Sequence, residues 1–304
     1  MARRRRGRAL DGVLLLDKPK GISANQALQR VRRLFEAAKA GHTGTLDPMA
    51  TGLLPVCFGE ATKFSAFLLD ADKRYHARIK LGISTDTGDA EGQVMAQAEV
   101  PVLTESFLQD ILGRFRGEIE QVPPMYSALK HQGRPLYELA REGREIKRTP
   151  RQVTLHDITL CQWDATEGEF ELDVTCSKGT YIRTLAMDIG EAFGCGAHLT
   201  VLRRLKTGPF DTEGMHDFES LEQHADRDTC LMPVEVLLDH LPALHIEEAL
   251  AARLQMGQKV KSDTNTLEPD TVTRVYSGQT LLGLGTILTP GVIAPRRMLC
   301  NAVD

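Results

Sequence analysis

The sequence predicts an α+β protein built of two parts, residues 1–241 and 242–304. In the first part, stretches with apolar residues at helical spacing are interspersed with short apolar or alternating stretches that are typical of strands. From Pro242 onward the pattern changes to one short helix followed by short strands and turns, which suits a small β-barrel. A chain of 304 residues is long enough for two such domains.

Each element follows from a local pattern. Ser23 is a favourable N-cap for a helix whose apolar residues recur on one face as far as Ala38. Between Lys73 and Gly82, apolar residues alternate with charged ones, which predicts a half-buried strand. The same reasoning predicts helices at about 24–38, 60–69, 106–115, 177–193 and 247–256, and strands at about 12–16, 53–58, 73–82, 118–122, 153–160, 169–176, 197–206, 271–276, 280–287 and 297–301.

The charge distribution is polarised along the chain. The net charge of −4 argues weakly against a nucleic-acid partner, but residues 1–33 carry ten basic and two acidic residues. Residues 211–249 carry eleven acidic residues and one basic residue. A basic N-terminal arm, at about residues 1–10, is therefore a candidate contact for a polyanion, or else a solvated tail.

Composition excludes several classes of protein. No apolar run has the length of a membrane span, and the apolar stretch near the N-terminus is too short for a signal peptide, so we expect a cytoplasmic protein. The six cysteines are scattered, and none has zinc-ligand spacing. Phosphate-loop and dinucleotide-binding motifs are absent from the sequence, and we expect neither a cofactor nor a metal.

The stretch Gly41–Gly52, GHTGTLDPMATG, is the most informative in the chain. Pro48 biases Asp47 away from helical backbone, and the apolar run that follows predicts a buried strand. Asp47 should therefore lie on a loop at the end of a core element, where a rigid scaffold can position it. An aspartate that only caps a turn is the alternative interpretation.

This stretch closely resembles the catalytic loop of the TruB-type tRNA pseudouridine synthases. Four further blocks are similar to that family in order and spacing: 18–23, 75–89, 124–130 and 136–141. Ala24 stands where the family commonly shows a second serine, a difference that does not touch the chemistry. The resemblance covers essentially the full chain and is weakest after Pro242.

The resemblance implies a fold and an activity. The fold would be the pseudouridine synthase fold, a mixed and largely antiparallel central sheet flanked by helices, with a C-terminal PUA-like RNA-binding domain. The activity would be that of a tRNA pseudouridine-55 synthase, which flips a uridine out of the T-loop and isomerises it without a cofactor. Such a reaction needs a carboxylate at the sugar or base, and a group that handles the C5 proton.

By resemblance, Asp47 is the catalytic carboxylate, with the role of nucleophile, and Arg183 is its ion-pair partner. An arginine in the first turn of a helix opposes the helix dipole, so Arg183 should answer a specific carboxylate. Tyr181 would contact the base or accept its proton. The sequence leaves open whether Asp47 attacks the sugar, adds to the base or assists an elimination.

The remaining roles implied by the resemblance concern the RNA. Tyr75 would stack on the uracil, Tyr181 would lie on the opposite side, Leu202 would line the pocket, and His42 would meet the RNA loop where the base has left. Further candidate RNA contacts are basic residues in two stretches: Lys18, Lys20, Arg141, Arg144, Lys147 and Arg148. Lys18 and Lys20 would either support the active-site loops or contact the RNA backbone. The expected partner is the T-stem-loop of tRNA, and we expect a monomer.

Two alternative activities have some support in the sequence. Thr43–Leu46 is similar to the aspartyl-phosphate loop of ion-pumping ATPases, but there the aspartate precedes the Thr-Gly-Thr run, whereas here it follows. A non-catalytic tRNA-binding protein or RNA chaperone would also account for the basic arm and the C-terminal domain.

The acidic turn at 85–92 lacks the terminal glutamate of a calcium loop, so we do not expect it to bind a metal ion.

Overall fold

The computed structural model describes residues 7–262 and 267–300. Most of the predicted basic arm, residues 1–6, lies outside these ranges. Within the described part of the arm, Arg8 forms an ion pair with Asp228, and its main-chain N–H donates to the carbonyl of Glu36 at 2.7 Å.

The elements alternate between helix and strand along most of the chain. In order they are β1 (Gly12–Lys18), α1 (Ala24–Leu34), β2 (Ala40–His42), β3 (Thr51–Phe58), α2 (Ser65–Asp70), β4 (Lys73–Leu81), β5 (Ile83–Thr85), β6 (Val94–Gln97), α3 (Glu105–Gly113), β7 (Gly117–Gln121), β8 (Lys130–His131), β9 (Arg134–Pro135), α4 (Leu136–Arg141), β10 (Arg151–Asp164), β11 (Glu169–Cys176), α5 (Ile182–Ala192), β12 (Ala197–Thr207), α6 (Phe218–Gln223), β13 (Ala243–His245), α7 (Glu248–Gln255), β14 (Val260–Lys261), β15 (Val272–Ser277), β16 (Thr280–Thr289) and β17 (Val292–Met298).

The central sheet is mixed and largely antiparallel, as predicted. Its strand order is β1-β3-β12-β4-β11-β10-β7, and β2 pairs with β3 off this path. Only the pairing of β3 with β12 is parallel in this sheet of the described chain. The alternation in β4 buries Tyr75, Ala77 and Ile79 against the helices, because successive side chains of a strand point to opposite faces.

One edge of β3 is shared by two strands. β12 pairs with its first residues, Thr51 and Gly52, whereas β2 pairs with its last residues, from Val56 to Phe58. Pro55 lies between the two pairings, where its missing N–H leaves no ladder bond unmade. The loop from β2 to β3 fills this interval, and it is the loop that carries Asp47.

The C-terminal strands form a second sheet, a half-barrel of order β13-β15-β16-β17-β14 packed on α7. This sheet has a core of its own, but it also shares one with the rest of the chain. Leu281 and Leu284 of β16 belong to the same buried cluster as Val13, Leu15 and Phe64. The C-terminal sheet is therefore packed against the first part of the chain through apolar side chains.

Several predicted elements differ from the structure. The helix expected at 24–38 ends at Leu34, and the helix expected at 177–193 begins at Ile182, with Tyr181 as its N-cap. The helix expected at 60–69 is a 3-10 turn (Gly59–Lys63) followed by α2, because Phe64 between them has non-helical backbone at φ −111° and ψ 3°. The last strand begins at Val292, earlier than expected, because β17 accommodates Pro295 opposite Gly285 at a register shift. No helix in the described ranges is long and apolar enough to cross a membrane.

The start of β3 requires a glycine. Gly52 has φ +97°, and a Cβ there would lie 2.4 Å from the carbonyl oxygen of Arg204 on β12. We expect Gly52→Ala to lower the free energy of unfolding by about 2–4 kcal/mol, combining left-handed backbone strain with overpacking. Denaturant-induced unfolding of wild type and Gly52→Ala measures this difference in the free energy of unfolding.

Gly133→Ala is the matched control. Gly133 also has positive φ, at +84°, but nothing lies within 4 Å of a Cβ there. Its substitution should cost only the backbone term, about 1–2 kcal/mol. Equal losses in the two variants would show that the contact with Arg204 does not constrain β3.

Candidate active site

Asp47 lies on the loop between β2 and β3, with its side chain 34% exposed. The loop is fixed at its base: the N–H of Ala50 donates to the carbonyl of Asp47 at 3.1 Å, and the N–H of Gly21 donates to that of Pro48 at 2.8 Å. The carboxylate therefore faces solvent from a tethered backbone. This is the placement at the end of a core strand that the sequence indicated.

Arg183 holds the Asp47 carboxylate. Its Nε donates to Asp47 Oδ2 at 2.8 Å, its Nη1 to the carbonyl of Thr87 at 2.9 Å, and its Nη2 to the carbonyl of Tyr126 at 2.7 Å. The side chain is 5% exposed. A guanidinium bound in this way has one orientation, so it fixes the carboxylate and stabilises its negative charge.

A second carboxylate reaches the same guanidinium, which sequence reasoning did not select. Asp89 Oδ2 lies 3.5 Å from Arg183 Nε, and Asp89 is 4% exposed. Its other oxygen accepts bonds from the Thr87 hydroxyl at 2.6 Å and from the N–H of Glu91 at 3.0 Å. The sequence predicts a turn at 85–92, and the family-like block 75–89 ends at Asp89, but neither pattern selects this carboxylate. The dense run of acidic and hydroxyl side chains is the signal that could have done so.

The Asp47–Arg183 pair lies beside a pocket of about 310 Å³. Tyr75, Tyr181 and Leu202 all line this pocket, as do both members of the pair. Tyr75 is 9% exposed and Leu202 is 6% exposed. The sheet brings these residues together because β4 and β12 are neighbours, with Leu202 opposite Ala77 in the antiparallel register.

Tyr181 is the N-cap residue of α5, and its backbone is fixed by a buried amide. Gln121 is 2% exposed; its Oε1 accepts from the N–H of Tyr181 at 3.0 Å and its Nε2 donates to the carbonyl of Tyr181 at 3.3 Å. Burial raises the pKa of Tyr181, and it also raises the pKa of Tyr75. Both phenols therefore remain protonated at neutral pH.

Three buried cations surround the pocket besides Arg183. Lys18 is 0% exposed, and its Nζ donates to the carbonyls of Pro19 and Ile22 at 2.8 and 2.7 Å. Lys73 and Arg204 line the pocket itself. Burial lowers the pKa of both Lys18 and Lys73 to about 8.

His42 is on β2, in register with Val56, and is half-buried. It does not belong to the lining of the pocket that contains Asp47. Its Nδ1 is buried and has no partner in the described part of the chain. Burial, together with the charge of Arg204, lowers the pKa of His42, so the ring is neutral at pH 7.

The candidate RNA contacts differ in accessibility. Lys18 is not available to a phosphate, because its ammonium is enclosed by the two carbonyls of its own loop. Of its two expected roles, a direct RNA contact is wrong, whereas support of the loop agrees with these hydrogen bonds. Lys20 is exposed, as are Arg141, Arg144 and Lys147. Arg148 is half-buried and lies 3.5 Å from Glu145.

The largest cavity lies elsewhere. It measures about 750 Å³ and lies between α2 and the C-terminal sheet, with Lys63, Arg296 and Arg297 on its walls. We place the chemistry in the smaller pocket, because only that one combines a fixed carboxylate with tyrosines. No cluster of three metal-ligating side chains occurs in residues 7–262 and 267–300.

Family models match three successive parts of the chain. Residues 32–182 match the model of the TruB family pseudouridylate synthase N-terminal domain. This matched range of the chain contains Asp47 and Tyr75. Residues 183–239 match the tRNA pseudouridylate synthase B C-terminal domain, and residues 242–299 match the C-terminal model of pseudouridine synthase II TruB.

Relatives match over nearly their whole length. The chain is 60% identical to a tRNA pseudouridine synthase B of Chromohalobacter salexigens over 99% of this chain and 98% of that one. It is 55% identical to a protein of the same name from Methylobacillus flagellatus, over 97% of each. A chain in a solved structure of an H/ACA RNP bound to a substrate RNA shares the fold, with a TM-score of 0.73 at 22% identity, over 100% of this chain and 92% of that one. The chain belongs to the TruB family of pseudouridine synthases.

Proposed function

We propose that this protein isomerises uridine 55, in the T-loop of tRNA, to pseudouridine. The observation that carries the proposal is the Asp47 carboxylate, held at 2.8 Å by a buried arginine at the wall of a pocket lined by two tyrosines. Relatives 49–60% identical to this chain are named tRNA pseudouridine synthase B. Family membership supports the reaction, and the choice of U55 follows from the family resemblance.

The reaction is balanced without a redox partner. The N1–C1′ glycosidic bond breaks, a C5–C1′ bond forms, the C5 proton leaves and N1 takes up a proton. A cofactor is not required, because the substrate and the product are isomers. In this site Asp47 acts at the sugar, at the base, or as the base of an elimination, and Arg183 holds it in one orientation.

The uridine must leave the stacked loop to reach Asp47. Extrusion of a base costs a few kcal/mol, which stacking on aromatic side chains and contacts to the base edge offset. A pocket of about 310 Å³ is at the small end of ligand sites and suits one flipped nucleotide. Tyr75 stacks on the uracil, Tyr181 lies on the other side near C5, and Leu202 completes the apolar wall.

His42 and the exposed cations would contact the rest of the RNA. His42 is half-buried and neutral at pH 7, and by the family resemblance it meets the RNA loop in the space that the base has left. Lys20 and the exposed residues of the basic run Arg141–Arg148 are available to phosphates. We propose that residues 1–241 carry catalysis, that residues 242–304 form a PUA-like domain that binds RNA, and that the protein acts as a monomer in the cytoplasm.

Tritium release from tRNA labelled at uridine C5 tests the reaction. Wild type should release tritium with no added cofactor or metal, and Asp47→Asn should lower release by at least about 10⁴-fold, since an amide cannot replace the reacting carboxylate. Binding of the tRNA should persist in this variant. Asp110→Asn, an exposed position on α3, is the control that should keep full activity.

If wild type binds the tRNA but releases no tritium, the synthase proposal is excluded for this substrate. A non-catalytic tRNA-binding protein or RNA chaperone would then remain. Equal release by wild type and Asp47→Asn would show that another group performs the chemistry.

The salt dependence of binding tests the basic run. Replacing Arg141, Arg144 and Lys147 by glutamine in one variant should reduce the slope of log K against log salt by about 2–3. The reason is that each phosphate no longer contacted keeps roughly one counterion when the protein binds. Filter binding between low and moderate salt gives the slope. Arg74→Gln is the control, since Arg74 is already neutralised by Asp173 at 2.7 Å; an unchanged slope in the triple variant would exclude these contacts.

The C-terminal sheet can be tested without deleting it. Deletion would expose the apolar core that β16 shares with β1 and α2, so we prefer Arg296→Gln with Arg297→Gln on β17. KM for tRNA should rise about tenfold, the effect of losing one or two phosphate contacts, with kcat changed less than about twofold. Arg114→Gln, exposed near α3, is the control. An unchanged KM would count against an RNA-binding role of this face.

A further inference from the structure

Arg204 brings a positive charge into the interior without a carboxylate to balance it. The residue is 1% exposed and is among the largest fully buried side chains of the described chain. Arg183 has Asp47 and Asp89, and the adjacent Arg203 has Asp17 at 2.7 Å, but Arg204 forms no ion pair with any acidic residue in the described ranges. A buried charge left unbalanced lowers stability, so its presence indicates a functional role.

Main-chain carbonyls hold the guanidinium in place. Nε donates to the carbonyl of Leu53 on β3 at 2.7 Å, and Nη2 donates to the carbonyl of Gly44 on the Asp47 loop at 3.4 Å. Nη1 takes part in neither bond. The guanidinium is thus oriented by neutral acceptors, which leave its full charge available to a bound molecule.

The sheet register places this guanidinium at the reacting base. Arg204 is two residues after Leu202 on β12, so the two side chains share one face of the strand. Arg204 is directly opposite Tyr75 on β4, and all three residues line the pocket that contains Asp47. Cross-strand neighbours of this kind have Cβ atoms about 4.5–5.5 Å apart, so a uracil stacked on Tyr75 must lie within reach of Arg204.

The charge of Arg204 acts on several titratable groups near the pocket. Beside burial, which is the larger cause, it lowers the pKa of Lys18, Lys73 and His42, and it opposes the rise in the pKa of Tyr75 that burial causes. These contributions of Arg204 share one direction, towards the less positive form of each neighbour. The guanidinium therefore favours negative charge on a group that lies beside it in the pocket.

The proposed reaction generates negative charge at that position. When Asp47 acts at the sugar, the uracil leaves with the electron pair of the N1–C1′ bond, and the ring then carries one negative charge spread over N1, O2 and O4. The charge disappears as the ring forms the C5–C1′ bond, loses its C5 proton and gains a proton at N1. We propose that Arg204 stabilises the detached, anionic uracil between these two events. The inference rests on the proposed function.

Single-turnover kinetics of Arg204→Met and Arg204→Lys test the proposal. Removing one preorganised donor to a developing anion lowers the rate constant of the chemical step by about 10²–10³-fold. We expect a loss of that size for Arg204→Met, a smaller loss for Arg204→Lys, and a dissociation constant for tRNA that stays within about threefold of wild type. Arg203→Met, on the same strand but paired with Asp17, should change the rate by less than about threefold.

A second substrate separates electrostatic stabilisation from a structural role. Fluorine at C5 withdraws electrons and stabilises the uracil anion, so cleavage of 5-fluorouridine in the T-loop should depend less on Arg204. The rates are followed as loss of the parent nucleoside after digestion. With 5-fluorouridine, the ratio of the wild-type rate to the Arg204→Met rate should be at least about tenfold smaller than with uridine. If Arg204→Met does not fold, the same ratio is measured with Arg204→Lys.

Three results would overturn the inference. They are an unchanged rate in Arg204→Met, equal losses with uridine and 5-fluorouridine, and weaker tRNA binding with a salt slope reduced by about one, which would assign Arg204 to a phosphate. Failure of the proposed function would look different, because wild type itself would then release no tritium from uridine.

Discussion

The buried guanidinium of Arg183 is the interaction on which the site depends. Its three nitrogens bind Asp47, the carbonyl of Thr87 and the carbonyl of Tyr126, so it joins three separate loops at one point. Asp89, itself held by Thr87 and Glu91, adds a second carboxylate beside the same guanidinium. A lysine could not replace it, because one ammonium cannot reach acceptors spread over a planar fork.

The sheet supplies what the loops cannot, which is the spacing of the side chains that would hold the base. Tyr75 and Leu202 come from adjacent strands whose antiparallel register also sets Arg204 opposite Tyr75. The second half of β12 and the carboxylate loop meet at the start of β3, where Gly52 allows the backbones to approach closely. One face of the pocket is therefore determined by β-ladder geometry and the other by the Arg183 cluster.

The sequence was informative where the constraint is local. Strand β11 and the half-buried strand β4 have the predicted bounds to within one residue, because alternation directly reports which face is buried. The prediction of one helix at 60–69 was wrong, because nothing in the apolar pattern of this stretch indicates the non-helical backbone of Phe64.

The family resemblance identified Asp47, Arg183, Tyr75, Tyr181 and Leu202, and the structure gathers all five around one pocket, while their roles stay predictions. Asp89 and Arg204 were not selected, because their significance lies in contacts between distant elements. For Lys18 the sequence left loop support and RNA contact both open, because a lysine is normally exposed and only the fold reveals the carbonyls that enclose it.

The apolar core shared by β16, β1 and α2 has a consequence for the choice of substrate. Because Leu281 and Leu284 are packed with Val13, Leu15 and Phe64, the cavity beside Arg296 and Arg297 and the strand that precedes the Asp47 site share one apolar core. Under the proposed function, an RNA that contacted this cavity and entered the pocket together would have to span the separation that this core sets. Selection among RNAs would then depend on the span between a helical stem and an extruded uridine, and RNAs of different sequence but equal shape would be accepted alike.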